Sequence, residues 1–330
     1  IVNGIQPMDV WDVDVRRVPD CFDNKKFIED RVTESLGIAY QMHWPNRQWE
    51  TGRNVKQSAL HNLLKENGAC FGQSAGWERP NWFAKTNQKS EYEYDFHKQN
   101  WFENNKREHI AVREKVGVFD QSSFCKLLVQ GKDALTVLNR IATADLNISE
   151  GKSVYTQFLN KNGGVEADLV IARLDEEKFF IVTPAFTATH VTAWIEERIK
   201  SDHFCIVTDI SSSYAMLSLQ GPESRELLTR ISNSDFSNTA FPFATLKNIE
   251  IGYQNALALR ISYSGELGWE LYIPTEMACA VYQRILKKGK QIGIKNCGYH
   301  TLNSLRIEKG FREWAHDMGP LDSLKECGLD

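Results

Sequence analysis

Apolar residues recur at two periods along this chain, and the change of period from one segment to the next predicts its elements. Spacings of three and four residues predict helices over 107–115, 132–141, 187–199, 223–231, 277–289 and 302–310. Short alternating or continuous apolar runs predict strands at 127–129, 154–159, 167–174, 179–183, 205–210, 215–219, 249–253, 256–263 and 269–273. Asn160-Lys161-Asn162-Gly163-Gly164 separates two of these runs with turn-forming residues, so 154–174 reads as a β-hairpin. Tight hairpins recur, which gives an α+β class with mainly antiparallel sheets and packed helices. Residues 1–96 differ: they are rich in Trp, Arg, Asn and Asp, weakly periodic, and broken by the turn-prone Glu78-Arg79-Pro80-Asn81. They read as a connecting segment, with a compact domain over 97–330.

At 330 residues, with 42% hydrophobic and 25% charged residues, the chain can bury one large core or two ordinary ones. Its 43 acidic and 39 basic side chains are mixed along the sequence for a net charge of −4, which excludes the basic stripe that a phosphate backbone requires. No nucleic acid partner is therefore expected. No apolar run reaches the roughly eighteen residues of a membrane span, so no membrane partner is expected either. The seven cysteines, at 21, 70, 125, 205, 279, 297 and 327, form no C-x-x-C pair, which argues against a disulfide framework and a zinc site and suits a reducing compartment. No H-x-x-x-H spacing occurs among the eight histidines, and no metal site is expected. A start at Ile1 and a stop at Asp330 look like cuts in a longer polypeptide.

Five landmarks follow one another in a fixed order: Glu108-His109-Ile110-Ala111-Val112-Arg113 with Gly117-Val118-Phe119-Asp120; Leu159-Asn160 with Gly163-Gly164; Leu219-Gln220-Gly221-Pro222; Tyr263-Ser264-Gly265-Glu266-Leu267-Gly268-Trp269-Glu270; and Leu305-Arg306-Ile307-Glu308. Their order resembles that of the aminomethyltransferase (T-protein) family of the glycine cleavage system, and implies its folate-binding fold. Upstream, Trp11-Asp12-Val13-Asp14-Val15-Arg16-Arg17, Gly52-Arg53 and Gly76-Trp77-Glu78-Arg79-Pro80-Asn81-Trp82-Phe83 are similar to the segment that joins the FAD domain to the folate domain in sarcosine and dimethylglycine dehydrogenases. Tyr155-Thr156, Asp235-Phe236-Ser237-Asn238 and Ile307-Glu308-Lys309-Gly310-Phe311 look most like sarcosine dehydrogenase. The resemblance implies a mitochondrial matrix flavoprotein that oxidises N-methylglycines, uses FAD and tetrahydrofolate, and passes electrons to electron-transfer flavoprotein. No G-x-G-x-x-G follows a strand, so the FAD-binding half is expected to lie outside this chain.

A reduced pterin is flat and edged with N–H donors, so its site needs a carboxylate acceptor and aromatic or apolar walls. The resemblance implies that Tyr263 and Glu270 meet the pterin, carried on hairpin strands 256–263 and 269–273. It implies that Arg306 orients the pterin or meets the glutamate tail; the plainer alternative is an ion pair with Glu308 or a neighbour. Phe124 and Trp314 are pocket walls by resemblance, or core residues. His109 reads as a helix-packing or capping residue. Where aminomethyltransferases carry two adjacent aspartates, the first of them the acid–base group, this chain has Ala167 and Asp168. Alanine moves no proton, which argues against aminomethyl transfer and leaves Asp168 as the catalytic candidate, or as a capping carboxylate. Capture of a one-carbon unit on tetrahydrofolate is the expected role. The rival is the noncatalytic regulatory subunit of pyruvate dehydrogenase phosphatase, which resembles residues 11–17. A ligand-free scaffold is a third reading, since Ser323-Leu324-Lys325-Glu326 stands where relatives have D-S-P-L-E.

Overall fold

The computed structural model describes residues 15–329, so residues 11–14 of the Trp11 to Arg17 segment lie outside the described residues. The chain first forms α1 (Lys25–Ile38), whose N-cap Asn24 accepts the Phe27 amide, then α2 (His61–Glu66) and the hairpin of β1 (Ala69–Ser74) and β2 (Trp77–Phe83). Ala75 and Gly76 both take positive φ at the hairpin tip, 48° and 82°, as a tight two-residue turn requires. Next come α3 (Phe102–Glu114), β3 (Gly117–Asp120), β4 (Cys125–Gln130), α4 (Ala134–Ile141), β5 (Ser153–Leu159), β6 (Val165–Asp175), β7 (Lys178–Thr183), α5 (Ala188–Glu196) and β8 (Ile206–Asp209). The chain ends with β9 (Tyr214–Gln220), α6 (Ser224–Ile231), β10 (Leu246–Ile251), β11 (Gln254–Leu259), β12 (Gly268–Pro274), α7 (Ala278–Gly289), β13 (Lys295–Asn296), α8 (Tyr299–Glu308) and α9 (Leu324–Cys327).

Two larger sheets result, a six-stranded one in the order β10-β11-β12-β9-β3-β13 and a five-stranded one in the order β5-β6-β7-β4-β8. Every pairing in them is antiparallel except β13 with β3. Strand alternation assigns the faces. On β12, Trp269, Leu271 and Ile273 enter a core with Leu227 and Leu228 of α6 and Val281 and Ile285 of α7. On β6, Ala167, Leu169 and Ile171 enter a second core with Val137 and Leu138 of α4 and Val191 and Ile195 of α5. The opposite faces meet each other through Ala172, Phe180, Val182, Met216, Leu246, Leu259 and Tyr272. Helices thus cover the outer face of each sheet, and the inner faces bound an inter-sheet space.

Two structural expectations need correction. The strand predicted over 256–263 stops at Leu259, because Arg260 turns away to exchange backbone hydrogen bonds with Ala244 and Thr245. Tyr263 consequently sits in the connection between β11 and β12. Residues 60–96 also do more than connect: Leu60, Leu64, Ala69 and Phe83 share the core of Leu217 and Leu227. Their attachment runs through the fully buried Glu108, which accepts the Phe83 amide (2.8 Å), the Gly298 amide (2.9 Å) and the Thr301 hydroxyl (2.7 Å). His109 bridges α3 to α8, with Ser304 on Nδ1 and Glu308 on Nε2. At α9, Ser323 and Glu326 form a reciprocal capping box, so this helix starts without the missing proline.

Candidate functional site

A cavity of about 600 Å3 opens between the inner faces of the sheets, and Phe124, Asp168, Tyr263, Glu270 and Trp314 all line it. Its size suits a small organic ligand. A larger, more open hollow of about 1050 Å3, between residues 15–32 and α5, carries none of the predicted site residues.

Glu270 reaches the cavity because alternation on β12 turns it away from Trp269 and Leu271. Tyr272, two residues on and on the same face, donates its hydroxyl to Glu270 Oε2 at 2.6 Å. No hydrogen bond among the described residues reaches Oε1. Burial pushes the carboxyl up to about 7, partly offset by the Tyr272 bond. Tyr263 is anchored by its hydroxyl on the Arg312 carbonyl, 2.7 Å, with its ring stacked on Phe311 at 6.2 Å.

Asp168 faces Gln157 across the β5–β6 ladder, and Gln157 Nε2 donates to its Oδ1 at 2.9 Å. Burial raises this carboxyl to about 6, while hydrogen bonds from Tyr155 and then Gln157 hold it lower than burial alone would. Ala167 points the other way, into the core behind β6, with no solvent exposure. The inference drawn from alanine at 167 is therefore corrected: that position does not face the cavity, and the neighbouring position that does still carries a carboxylate. A bulge at Glu166, opposite Phe158 and Leu159, sets this phase.

Phe124 and Trp314 satisfy both alternatives, since each lines the cavity while packing on a core cluster. Trp314 is fixed by its indole N–H on the Val165 carbonyl, 2.8 Å, and by ring contacts with Phe186 and His190 near 6 Å. Arg306 is not brought to the cavity. It is 5% exposed, and its guanidinium is held by Asn303, Glu313, Asp317 and the Phe311 carbonyl. It fastens α8 to the loop that carries Arg312 and Trp314. Glu308 pairs instead with Arg113 (2.8 Å).

Sequence reasoning missed Tyr155, Gln157 and Tyr272, the donors to the two carboxylates. Their signal was the two-residue spacing on a strand: Glu270-x-Tyr272 and Tyr155-x-Gln157. It also missed Arg79 and Tyr299 on the cavity wall. An N–H-edged flat ring fits this lining, because Glu270 Oε1 offers an acceptor and the walls are largely aromatic and aliphatic. Among the described residues, no group of three or more His, Cys, Asp or Glu could hold a metal ion, and no helix is long and apolar enough to cross a membrane.

Comparison with known proteins adds to this geometry. The family described as GCVT N-terminal domain matches residues 60–330, and the FAD dependent oxidoreductase central domain matches residues 3–58. Over its whole length the chain is 43% identical to 4-methylaminobutanoate oxidase (formaldehyde-forming) of Paenarthrobacter nicotinovorans, covering 40% of that protein. Two Mus musculus proteins are similar over nearly all of the chain. One is the mitochondrial pyruvate dehydrogenase phosphatase regulatory subunit, 33% identical with 38% of it covered. The other is mitochondrial sarcosine dehydrogenase, 32% identical with 40% covered. The chain thus spans about 40% of the length of these curated relatives. Among solved structures, glycine cleavage system aminomethyltransferase T from Bartonella henselae superposes with a TM-score of 0.67 at 26% identity, over 82% of this chain and 66% of that one.

Proposed function

Since the chain belongs to the GCVT N-terminal domain family and carries part of an FAD dependent oxidoreductase central domain, we propose that it is the folate-binding portion of a flavoprotein that demethylates N-methyl amines. Its cavity holds tetrahydrofolate, on which the released one-carbon unit is captured. The observation that carries this reading is Glu270: a carboxylate kept at the cavity against the cost of burial, with Oε1 open to a ligand.

When bound, tetrahydrofolate supplies two amines that take up a formaldehyde-level carbon with loss of water. This chain's residues bind, orient and exchange protons. Glu270 accepts N–H bonds from the pterin edge, and the Tyr272 hydroxyl fixes the direction of its carboxyl. Tyr263, Phe124 and Trp314 enclose the ring and keep water from the reacting carbon. Asp168 takes and returns a proton near neutral pH, because burial brings its carboxyl to about 6. We place the start of the folate-binding module near Leu60, in agreement with the core shared by residues 60–83, and assign no residue of this chain to FAD.

The substrate class is an amine bearing an N-methyl group: sarcosine or dimethylglycine on the resemblance, with the 4-methylaminobutanoate of the 43% identical relative in the same class. Matrix location and electron-transfer flavoprotein as acceptor complete the reading; the location is supported by the mitochondrial names of the mouse relatives. Calorimetric titration with 5-formyl-tetrahydrofolate tests it. The reading predicts one site per chain, abolished by Glu270→Ala. A folded chain that binds no folate would instead support the regulatory role named for the 33% identical relative.

A further inference from the structure

Arg79 stands third in β2, beside Trp77 and Glu78, and lines the cavity. Glu78 is taken up by Arg53, whose Nε donates to it at 2.8 Å, and by the Asn54 amide at 2.7 Å. Arg79 has no such partner. Its guanidinium lies over the Tyr299 ring at 4.2 Å, and Tyr299 is held in place by a 3.0 Å hydrogen bond between its hydroxyl and Ser123. Arg79 Nε is buried without an acceptor, and no hydrogen bond or ion pair among the described residues engages the group. Stacking occupies one face of a guanidinium and leaves its planar edge of donors free, the arrangement that receives a carboxylate in a bidentate way.

The arginines nearby are all provided for. Arg306 is held by Asp317 and Glu313, Arg113 by Glu266 and Glu308, and Arg312 by the Cys327 and Gly310 carbonyls. The neighbouring His300, against Trp101 at 4.3 Å, is pushed down to about 4 by burial and then by the Arg79 charge. The positive field of Arg79 is thus felt by its neighbours. In the same cavity lining, Glu270 suits the N–H-bearing end of a ligand, so a ligand that also carries a carboxylate matches both signs of charge.

We propose that Arg79 is the carboxylate-docking residue of this cavity. The assignment rests on the folate reading above. The carboxylate comes from one of two sources: the glutamyl tail of folate, or an amino-acid-derived amine that delivers the one-carbon unit.

The test titrates the full chain, and its Arg79→Gln and Arg79→Lys variants, with three probes. These are 5-formyl-tetrahydrofolate, 6-methyltetrahydropterin, which lacks the tail, and N-formylglycine added at saturating 6-methyltetrahydropterin. Circular dichroism and the melting temperature confirm that each variant is folded. If the tail docks, Arg79→Gln weakens 5-formyl-tetrahydrofolate by about tenfold or more and leaves 6-methyltetrahydropterin unchanged. If the amine docks, the loss falls on N-formylglycine alone. Arg79→Lys recovers part of either loss. Unchanged binding of every probe to Arg79→Gln overturns the proposal, as does an equal loss of the tail-less pterin, which would mean that Arg79 acts through the fold. Failure of a folded wild type to bind 5-formyl-tetrahydrofolate refutes the folate reading itself, and the docking role with it.

Discussion

Glu270→Gln separates what the carboxylate does for the ligand from what it costs the fold. Burial raises this group from 4.5 to about 7. The folded chain therefore keeps a proton between those values that the unfolded chain has already released, and stability falls as pH rises through that window. Below pH 4.5 both states are protonated and the group costs nothing. Above 7 the whole cost is carried, at most about 3.5 kcal/mol, from about 2.5 pH units at about 1.4 kcal/mol each. Glutamine keeps an oxygen for the Tyr272 hydroxyl and never ionises. Glu270→Gln should thus match the wild type in stability from urea unfolding at pH 4 and exceed it by up to about 3.5 kcal/mol at pH 8. Affinity for 5-formyl-tetrahydrofolate should fall in the same variant. A variant no more stable than the wild type at pH 8, or an offset equal at pH 4 and pH 8, would refute the reasoning.

Three further substitutions probe the site and its supports. Asp168→Asn should leave 5-formyl-tetrahydrofolate affinity within about twofold and slow capture of formaldehyde on tetrahydrofolate by about 100-fold; the inflection near pH 6 that Asp168 gives the wild type should disappear from the stopped-flow pH profile. Arg53→Met leaves the carboxylate of Glu78, 3% exposed, with the Asn54 amide but no cation, and should destabilise the chain by about 3 kcal/mol in urea unfolding. Glu108→Ala strips the acceptor from the Phe83 and Gly298 amides and the Thr301 hydroxyl at once; a loss of about 2–4 kcal/mol, read by the same method, is expected.

The parts of the fold with a clean period could be read directly. On β12 the sequence Trp-Glu-Leu-Tyr-Ile alternates without interruption, so the strand over 269–273 followed from the pattern, whereas Glu270 was singled out by resemblance. Prediction failed where long-range pairing overrides local pattern. Residues 260–263 continue the apolar rhythm of β11, yet Arg260 pairs with residues 244–245, and the chain turns there. The bulge at Glu166 reset the phase of β6, which is why the alanine at 167 was read as a cavity position although Asp168, its neighbour, is the one that faces the cavity. Arg306 lies on a helix as predicted, but Asp317 and Glu313, which claim it, come from an irregular loop with no periodic signal. Residues 60–83 looked like a linker because a six-residue helix and a two-stranded hairpin are too short to display a period, although Trp82 is fully buried.

The most direct measurement is a crystal structure of this chain grown with saturating 5-formyl-tetrahydrofolate. The account predicts the pterin in the inter-sheet cavity, with ring N–H groups within hydrogen-bond distance of Glu270 and aromatic contact to Tyr263. A folate bound elsewhere, or a cavity left empty at a concentration where calorimetry records binding, would contradict it.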